Sequence, residues 1–313
     1  MKSWRFYNTH EPLRYEEVPE PELQPGKVLI DVKAGGLCHS DVGLLEDEKW
    51  LASVPVRPMT PGHEIAGVIT AVADDVTEFA VGDRVAICPM IEFHGYAVDG
   101  GYGPKVIASP AALVPIPDGV SYAQASAATD AGMTSHGAVM GTGAVKAGMK
   151  VGIIGVGGLG QIGARVAHLN GAEVYVAEIN ESLWDFAKEL GAVKVGKAIG
   201  EFKDDQLDVI VDFAGFDTTR QAMEAVKFGG TVVQVGMGKL EASFDIYNLI
   251  LNKVTLKGSM GGTKEDIAAV MDWMAKGELN PSITTITPEE IAEGLERLHR
   301  GEVKGRLAAV YGD

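Results

Sequence analysis

The feature that most constrains this chain is Gly155-Val156-Gly157-Gly158-Leu159-Gly160, a G-x-G-x-x-G run set between a strand pattern and a helix pattern. Lys150–Ile154 reads as a buried strand, and Leu159, Ile162, Val166 and Leu169 then recur at helical spacing. Glycines there allow a tight turn and a close backbone approach to a ligand. The helix start adds free N–H groups and the positive end of a dipole, which suit a pyrophosphate. Glu178 closes the next strand, Glu173–Ala177, where a carboxylate can accept ribose hydroxyls. A carboxylate also repels a 2′-phosphate, so the pattern favours NAD over NADP.

From Ser121 onward strands and helices alternate. A helix is predicted over Glu181–Leu190, and strands over Asp208–Phe213, Thr231–Val235 and Thr255–Gly258. Buried strands alternating with helices imply an α/β fold built on a doubly wound parallel sheet. Before Ser121 the pattern is different. Lys27–Lys33 alternates apolar and polar residues, and Ile65–Val72 and Asp83–Ile87 are short strands. Pro25–Gly26, Gly35–Gly36, Pro61–Gly62 and Gly82–Asp83 punctuate them, so this part reads as β-rich. A helix over Lys264–Lys276 and a strand-like Arg306–Tyr311 end the chain. At 313 residues two domains are expected. They are a dinucleotide-binding domain, 132–262, and a discontinuous β-rich domain, 1–131 with 263–313.

A formal net charge of −16 argues against nucleic acid and anionic membranes as partners. The N-terminal MKSWRFYNTH lacks a signal-peptide core, and no stretch reaches membrane-helix length, so a cytoplasmic protein is expected. The two cysteines, Cys38 and Cys88, do not form a C-x-x-C pair, so any zinc needs mixed ligands. Candidates sit in three segments: Cys38 in GGLCHSD, His63 and Glu64 in PGHE, and Asp130 in TDAGMT. Asp130 reads either as a metal ligand or as the N-cap of the helix after it.

These segments, with TPGHEIAGVI, VGDRV, the DGGY at Asp99–Tyr102, GVGGLG and the late GxVxGR at Gly301–Arg306, resemble the zinc-dependent alcohol dehydrogenases of the medium-chain dehydrogenase/reductase superfamily. The resemblance runs nearly end to end. It implies a GroES-like catalytic domain beside a Rossmann domain, and a catalytic zinc held by Cys38 and His63. It implies Asp41 orienting His63, Glu64 behind the metal as a temporary ligand, and Ser40 passing the alcohol proton outward. Thr134 would pack near the nicotinamide, and Arg306 would meet the pyrophosphate. A homodimer or homotetramer is implied as well.

The chain departs from the family pattern in three places. Asp130 stands where the third ligand is usually cysteine, which keeps formal charge but makes a harder donor. The four-cysteine structural zinc lobe is missing, so one zinc per chain is expected, with Cys88 in a core or pocket wall. The histidine that ends the proton relay in some members is also absent, with Gly43 near its position. His39 or solvent would take that role, or His39 is a cofactor-phosphate or surface contact. The other histidines, among them His94, His136 and His168, read as structural or exposed.

The expected activity is hydride transfer between NAD(H) and a small alcohol, aldehyde or ketone. Trp50, Leu51, Pro89 and Met90 are candidate pocket walls, or ordinary packing residues. Rivals on the same scaffold are a polyol or sugar dehydrogenase and a reductase of C=C or C=N bonds. A rival of another class is an NAD-binding protein without catalysis.

Overall fold

The computed structural model describes residues 1–312. They divide into two compact units, Met1–Asp130 with the chain from Thr263 onward, and Ala131–Gly262.

The first unit opens with an antiparallel pair, β1 (Lys2–Arg5) and β2 (Arg14–Glu17). Its main sheet is built on β3 (Val28–Leu37), antiparallel to β4 (Glu64–Val72), which pairs in turn with β5 (Arg84–Ile87). β6 (Lys105–Ala108) runs beside the first half of β3, and β7 (Leu113–Pro115) pairs with β5. Val28, Ile30 and Val32 alternate inward as the sequence predicts, and pack with Ile65, Ile69, Val85, Ile87 and Val106. Burying each such side chain favours the fold by about 1.5–3 kcal/mol.

β3 is longer than its apolar alternation suggests. It runs straight through Gly35–Gly36, which read as a break in the sequence. A Cβ at position 35 would lie 2.8 Å from the Gly101 carbonyl oxygen, and one at 36 would collide with the Glu64 carboxylate. The glycines are therefore strand positions facing close neighbours. The extension delivers the chain directly to Cys38.

The second unit carries β8 (Lys150–Ile154), β9 (Glu173–Ala177), β10 (Ala192–Gly196), β11 (Leu207–Asp212), β12 (Val226–Gln234) and β13 (Thr255–Gly258). Their order is β10-β9-β8-β11-β12-β13, and every pair is parallel. This is the 3-2-1-4-5-6 order of doubly wound dinucleotide-binding sheets. β10 was not legible in the sequence because it is an edge strand with two exposed residues, Val193 and Lys194, at its centre.

After the helix Lys264–Ala275, the chain adds β14 (Ile283–Ile286), the helix Ile291–His299 and β15 (Arg306–Val310) to the first unit. β15 lies antiparallel to the second half of β3, with Leu307 opposite Leu37, and so brings Arg306 to the end of β3 beside Cys38. Among the described residues no helix is long and apolar enough to cross a membrane.

Candidate metal centre and dinucleotide turn

Three chain segments converge at the end of β3. Cys38 directly precedes the helix His39–Glu46, and its backbone N–H donates to Asp41 Oδ2 at 3.1 Å. His63 and Glu64 lead into β4 from a turn in which Gly62 adopts φ +91°. Asp130 lies in a widened π-helical stretch, Ala128–Gly132, that continues the helix Tyr122–Ala127. This placement removes the N-cap reading, because the helix is already under way eight residues before Asp130. Its side chain turns toward Cys38 and His63, as π-bulges often arrange at functional sites.

One ligand atom from each of Cys38, His63, Glu64 and Asp130 lies within 4.8 Å of all the others. Asp130 Oδ2 is 3.4 Å from Cys38 Sγ and 3.4 Å from His63 Nε2. For zinc with a thiolate, an imidazole and a carboxylate, the edges of a coordination tetrahedron are about 3.3–3.6 Å. Both distances to Asp130 match that edge length, and Cys38 and His63 lie within 4.8 Å of each other, so the three residues could hold one ion. On the far side of the imidazole, His63 Nδ1 is 3.3 Å from Asp41 Oδ1. Neither atom has a hydrogen-bond partner among the described residues, so each is the other's nearest polar counterpart. This arrangement fixes the tautomer that turns the Nε2 lone pair toward Cys38 and Asp130.

The electrostatics of the cluster suit a cation. Burial opposes a charge on His63, but Tyr96, Asp41 and Asp130 outweigh it and raise its pKa well above the ordinary imidazole value. Glu64 is fully buried, and burial pushes its carboxyl up to about 8, with Arg306 pulling down and Asp130 pushing further up. Arg306 is 3% exposed and forms an ion pair with Glu64 Oε1, while Oε2 has no hydrogen-bond partner. A group of buried acids that favours protons at its rim is also a group that a divalent ion would stabilise.

Several expected residues are placed plainly by the structure. Arg306, expected at a pyrophosphate, pairs with Glu64 through Nη2 while its Nε has no hydrogen-bond partner among the described residues, a pairing that its distance in sequence concealed. Ser40 hydrogen-bonds Tyr96, whose ring lies 5.2 Å from the His63 ring at a 31° tilt. Tyr96 was missed because nothing in its local sequence marks it. His39 is solvent-exposed, with Nε2 3.2 Å from the Leu298 carbonyl. At Gly43 a Cβ would lie 2.8 Å from the Trp50 indole nitrogen, so Trp50 fills the space beside this glycine. Trp50 and Leu51 pack against the core cluster that includes Leu44 and Val54. Pro89 is buried at the start of the short helix Pro89–Glu92, Met90 is half-buried, and Cys88 is buried. An open groove of about 420 Å³ lined by Tyr15, Pro288 and Tyr311 contains none of these candidates. His94 is fully buried, with Nε2 2.9 Å from the Ile107 carbonyl, a structural role.

In the second unit the glycine run sits at the end of β8. Gly155 adopts φ +83°. A Cβ on Gly160 would collide with the Gly155 carbonyl oxygen, so that glycine permits close helix–strand packing. Gly157 is exposed, and a Cβ there would meet nothing within 4 Å, which leaves room for a ligand against the backbone. Gly158 and Leu159 lead into the helix Gly160–Leu169, and the Leu159 carbonyl accepts from the Ser135 hydroxyl. Glu178 accepts from the Val156 N–H and the Asn180 N–H, both at 2.8 Å. Its carboxylate is thus braced against the turn itself, with lone pairs left for further donors. Thr134 is buried in the helix Met133–His136.

Comparison with known proteins agrees with this geometry. Residues 24–118 match the alcohol dehydrogenase GroES-like domain, and residues 158–276 match the zinc-binding dehydrogenase domain. An alcohol dehydrogenase of Geobacillus stearothermophilus is 33% identical, with 94% of each chain covered. The alcohol dehydrogenase of the archaeon Aeropyrum pernix superposes with a TM-score of 0.91 at 27% identity, covering 99% of this chain and 100% of that one. An acetophenone reductase of Geotrichum candidum, solved in complex with NAD, gives a TM-score of 0.87 at 29% identity, covering 99% and 97%.

Proposed function

The chain belongs to the zinc-binding alcohol dehydrogenase family, and from that premise we propose that it oxidises a small alcohol to a carbonyl compound with NAD, and runs the reverse reduction with NADH. The observation that carries this reading is Asp130 Oδ2 standing 3.4 Å from both Cys38 Sγ and His63 Nε2, with all three atoms within 4.8 Å of one another. When bound, zinc supplies Lewis acidity and NAD supplies the hydride acceptor.

The residues divide the remaining work. Cys38, His63 and Asp130 would hold the metal, which would polarise the substrate oxygen. Asp41 keeps His63 in the right tautomer. The Ser40 hydroxyl, bonded to Tyr96, takes the alcohol proton and passes it outward. Glu64 stays with Arg306 as a reserve donor, and His39 is a contact for a cofactor phosphate. Gly155, Gly157, Gly158, Leu159 and Gly160 receive the pyrophosphate, and Glu178 holds the adenosine ribose. Thr134 packs on the nicotinamide side. Trp50, Pro89 and Met90 are proposed near the substrate.

The protein is proposed to act as a homo-oligomer. All four residues of β13 are exposed, and Phe228, Tyr247, Ile250 and Leu256 expose apolar surface in the same unit. An open parallel edge with apolar neighbours is suited to pairing with a second copy.

The test is a screen of primary alcohols, secondary alcohols, polyols and aldehydes with NAD(H) and NADP(H), followed by nicotinamide absorbance in zinc-replete protein. Turnover of simple alcohols with NAD supports the reading. Turnover confined to polyols moves the substrate class. Absence of turnover with any of them contradicts it.

A further inference from the structure

The DGGY motif, Asp99–Tyr102, has no part in the chemistry so far, yet it is laid against the metal-binding turn along its whole length. Gly100 N–H donates to the Thr60 carbonyl at 2.7 Å, Gly101 N–H to the Gly62 carbonyl at 2.7 Å, and Tyr102 N–H to the Pro61 carbonyl at 3.0 Å. Asp99 Oδ1 accepts from the Thr60 N–H at 2.7 Å and from Arg5 at 3.0 Å. A Cβ at Gly62 would strike the Tyr102 ring, as would one at Gly100 the Gly62 and Pro61 carbonyls. The glycines of both motifs are what allow the two segments to touch. The result is that Tyr102, with none of its surface exposed, donates its hydroxyl to Asp41 Oδ2 at 2.8 Å.

We propose that Tyr102 is a positioning residue of the metal centre, which fixes His63 by holding Asp41. Asp41 Oδ2 is pinned by two donors, the Tyr102 hydroxyl and the Cys38 N–H. That leaves Oδ1 to face His63 Nδ1. Without the hydroxyl, only the Cys38 N–H restrains the carboxylate, and rotation about its terminal bond carries Oδ1 away from the imidazole. Outer partners of this kind typically change metal affinity by about 10–100-fold. The Tyr102 hydroxyl donates to Asp41 Oδ2, so its effect travels through that carboxylate.

The test rests on the metal-centre reading and measures zinc affinity in the full chain by competition with a chromophoric chelator. Four proteins are compared: wild type, Tyr102→Phe, Asp41→Asn and the double variant. Phenylalanine keeps the ring and so the packing, and circular dichroism checks the fold. The expected result is zinc binding about tenfold weaker in Tyr102→Phe, with no further loss when the same change is made in Asp41→Asn. Affinity of Tyr102→Phe within twofold of wild type overturns the proposal, as does an equal loss in both backgrounds. A wild-type protein that binds no zinc instead removes the metal-centre reading itself.

Discussion

Cys38 Sγ and Asp130 Oδ2 lie 3.4 Å apart although 92 residues of chain separate them. One comes from the end of a strand and the other from a widened helical turn, so nothing but the fold brings them together. If both grip one ion, Asp130→Ala lowers zinc affinity by at least about 100-fold, while Asp130→Cys keeps the metal. In cobalt-substituted protein, Asp130→Cys also strengthens the thiolate-to-metal charge-transfer band. Zinc affinity unchanged in Asp130→Ala means the aspartate is not a ligand.

Zinc affinity depends on pH in a direction that the local electrostatics set. The His63 pKa is raised well above the ordinary imidazole value, and burial pushes Glu64 up to about 8. A raised pKa means that His63 holds its proton at neutral pH and must release it before Nε2 can bind the metal. Apparent affinity therefore climbs between pH 6 and 8, by about tenfold per unit for each proton displaced. Chelator competition at several pH values measures it, and a flat profile contradicts this picture of the site.

The proposed cofactor preference assigns the adenosine ribose to Glu178, whose two oxygens are braced by Val156 and Asn180. The wild type is expected to bind NAD more tightly than NADP by about 100-fold, from the repulsion between a carboxylate and a 2′-phosphate. Glu178→Ala narrows that ratio to below about tenfold, and weakens NAD binding as well. Fluorescence titration of both cofactors reads the ratio directly.

Restoring a histidine at position 43 does not restore a relay. The Trp50 indole already occupies that space. Gly43→His overpacks the site and is expected to cost about 1–3 kcal/mol in stability, seen as a lower denaturation midpoint. A gain in alcohol turnover without loss of stability speaks against this packing.

The sequence carried the local part of the design. The glycine turn, its flanking strand and helix, Glu178, and the candidate ligands Cys38 and His63 all lie in short motifs whose physical reasons are local. Asp130 was legible only as a choice between ligand and cap, because a π-helical turn leaves no clear mark in composition. The Glu64–Arg306 ion pair and the Tyr102–Asp41 hydrogen bond were hidden for another reason. Each joins residues far apart in the chain through strand register and glycine-permitted contact. Gly35 and Gly36 misled in the same way, reading as a turn when they are strand positions that make room for Gly101 and Glu64.

X-ray absorption at the zinc edge of the purified full-length protein tests the central claim most directly. The account predicts one zinc per chain, with a single sulfur at about 2.3 Å and the remaining neighbours nitrogen or oxygen at about 2.0–2.2 Å. Protein that takes up no zinc, or zinc with no sulfur neighbour or with two, contradicts it.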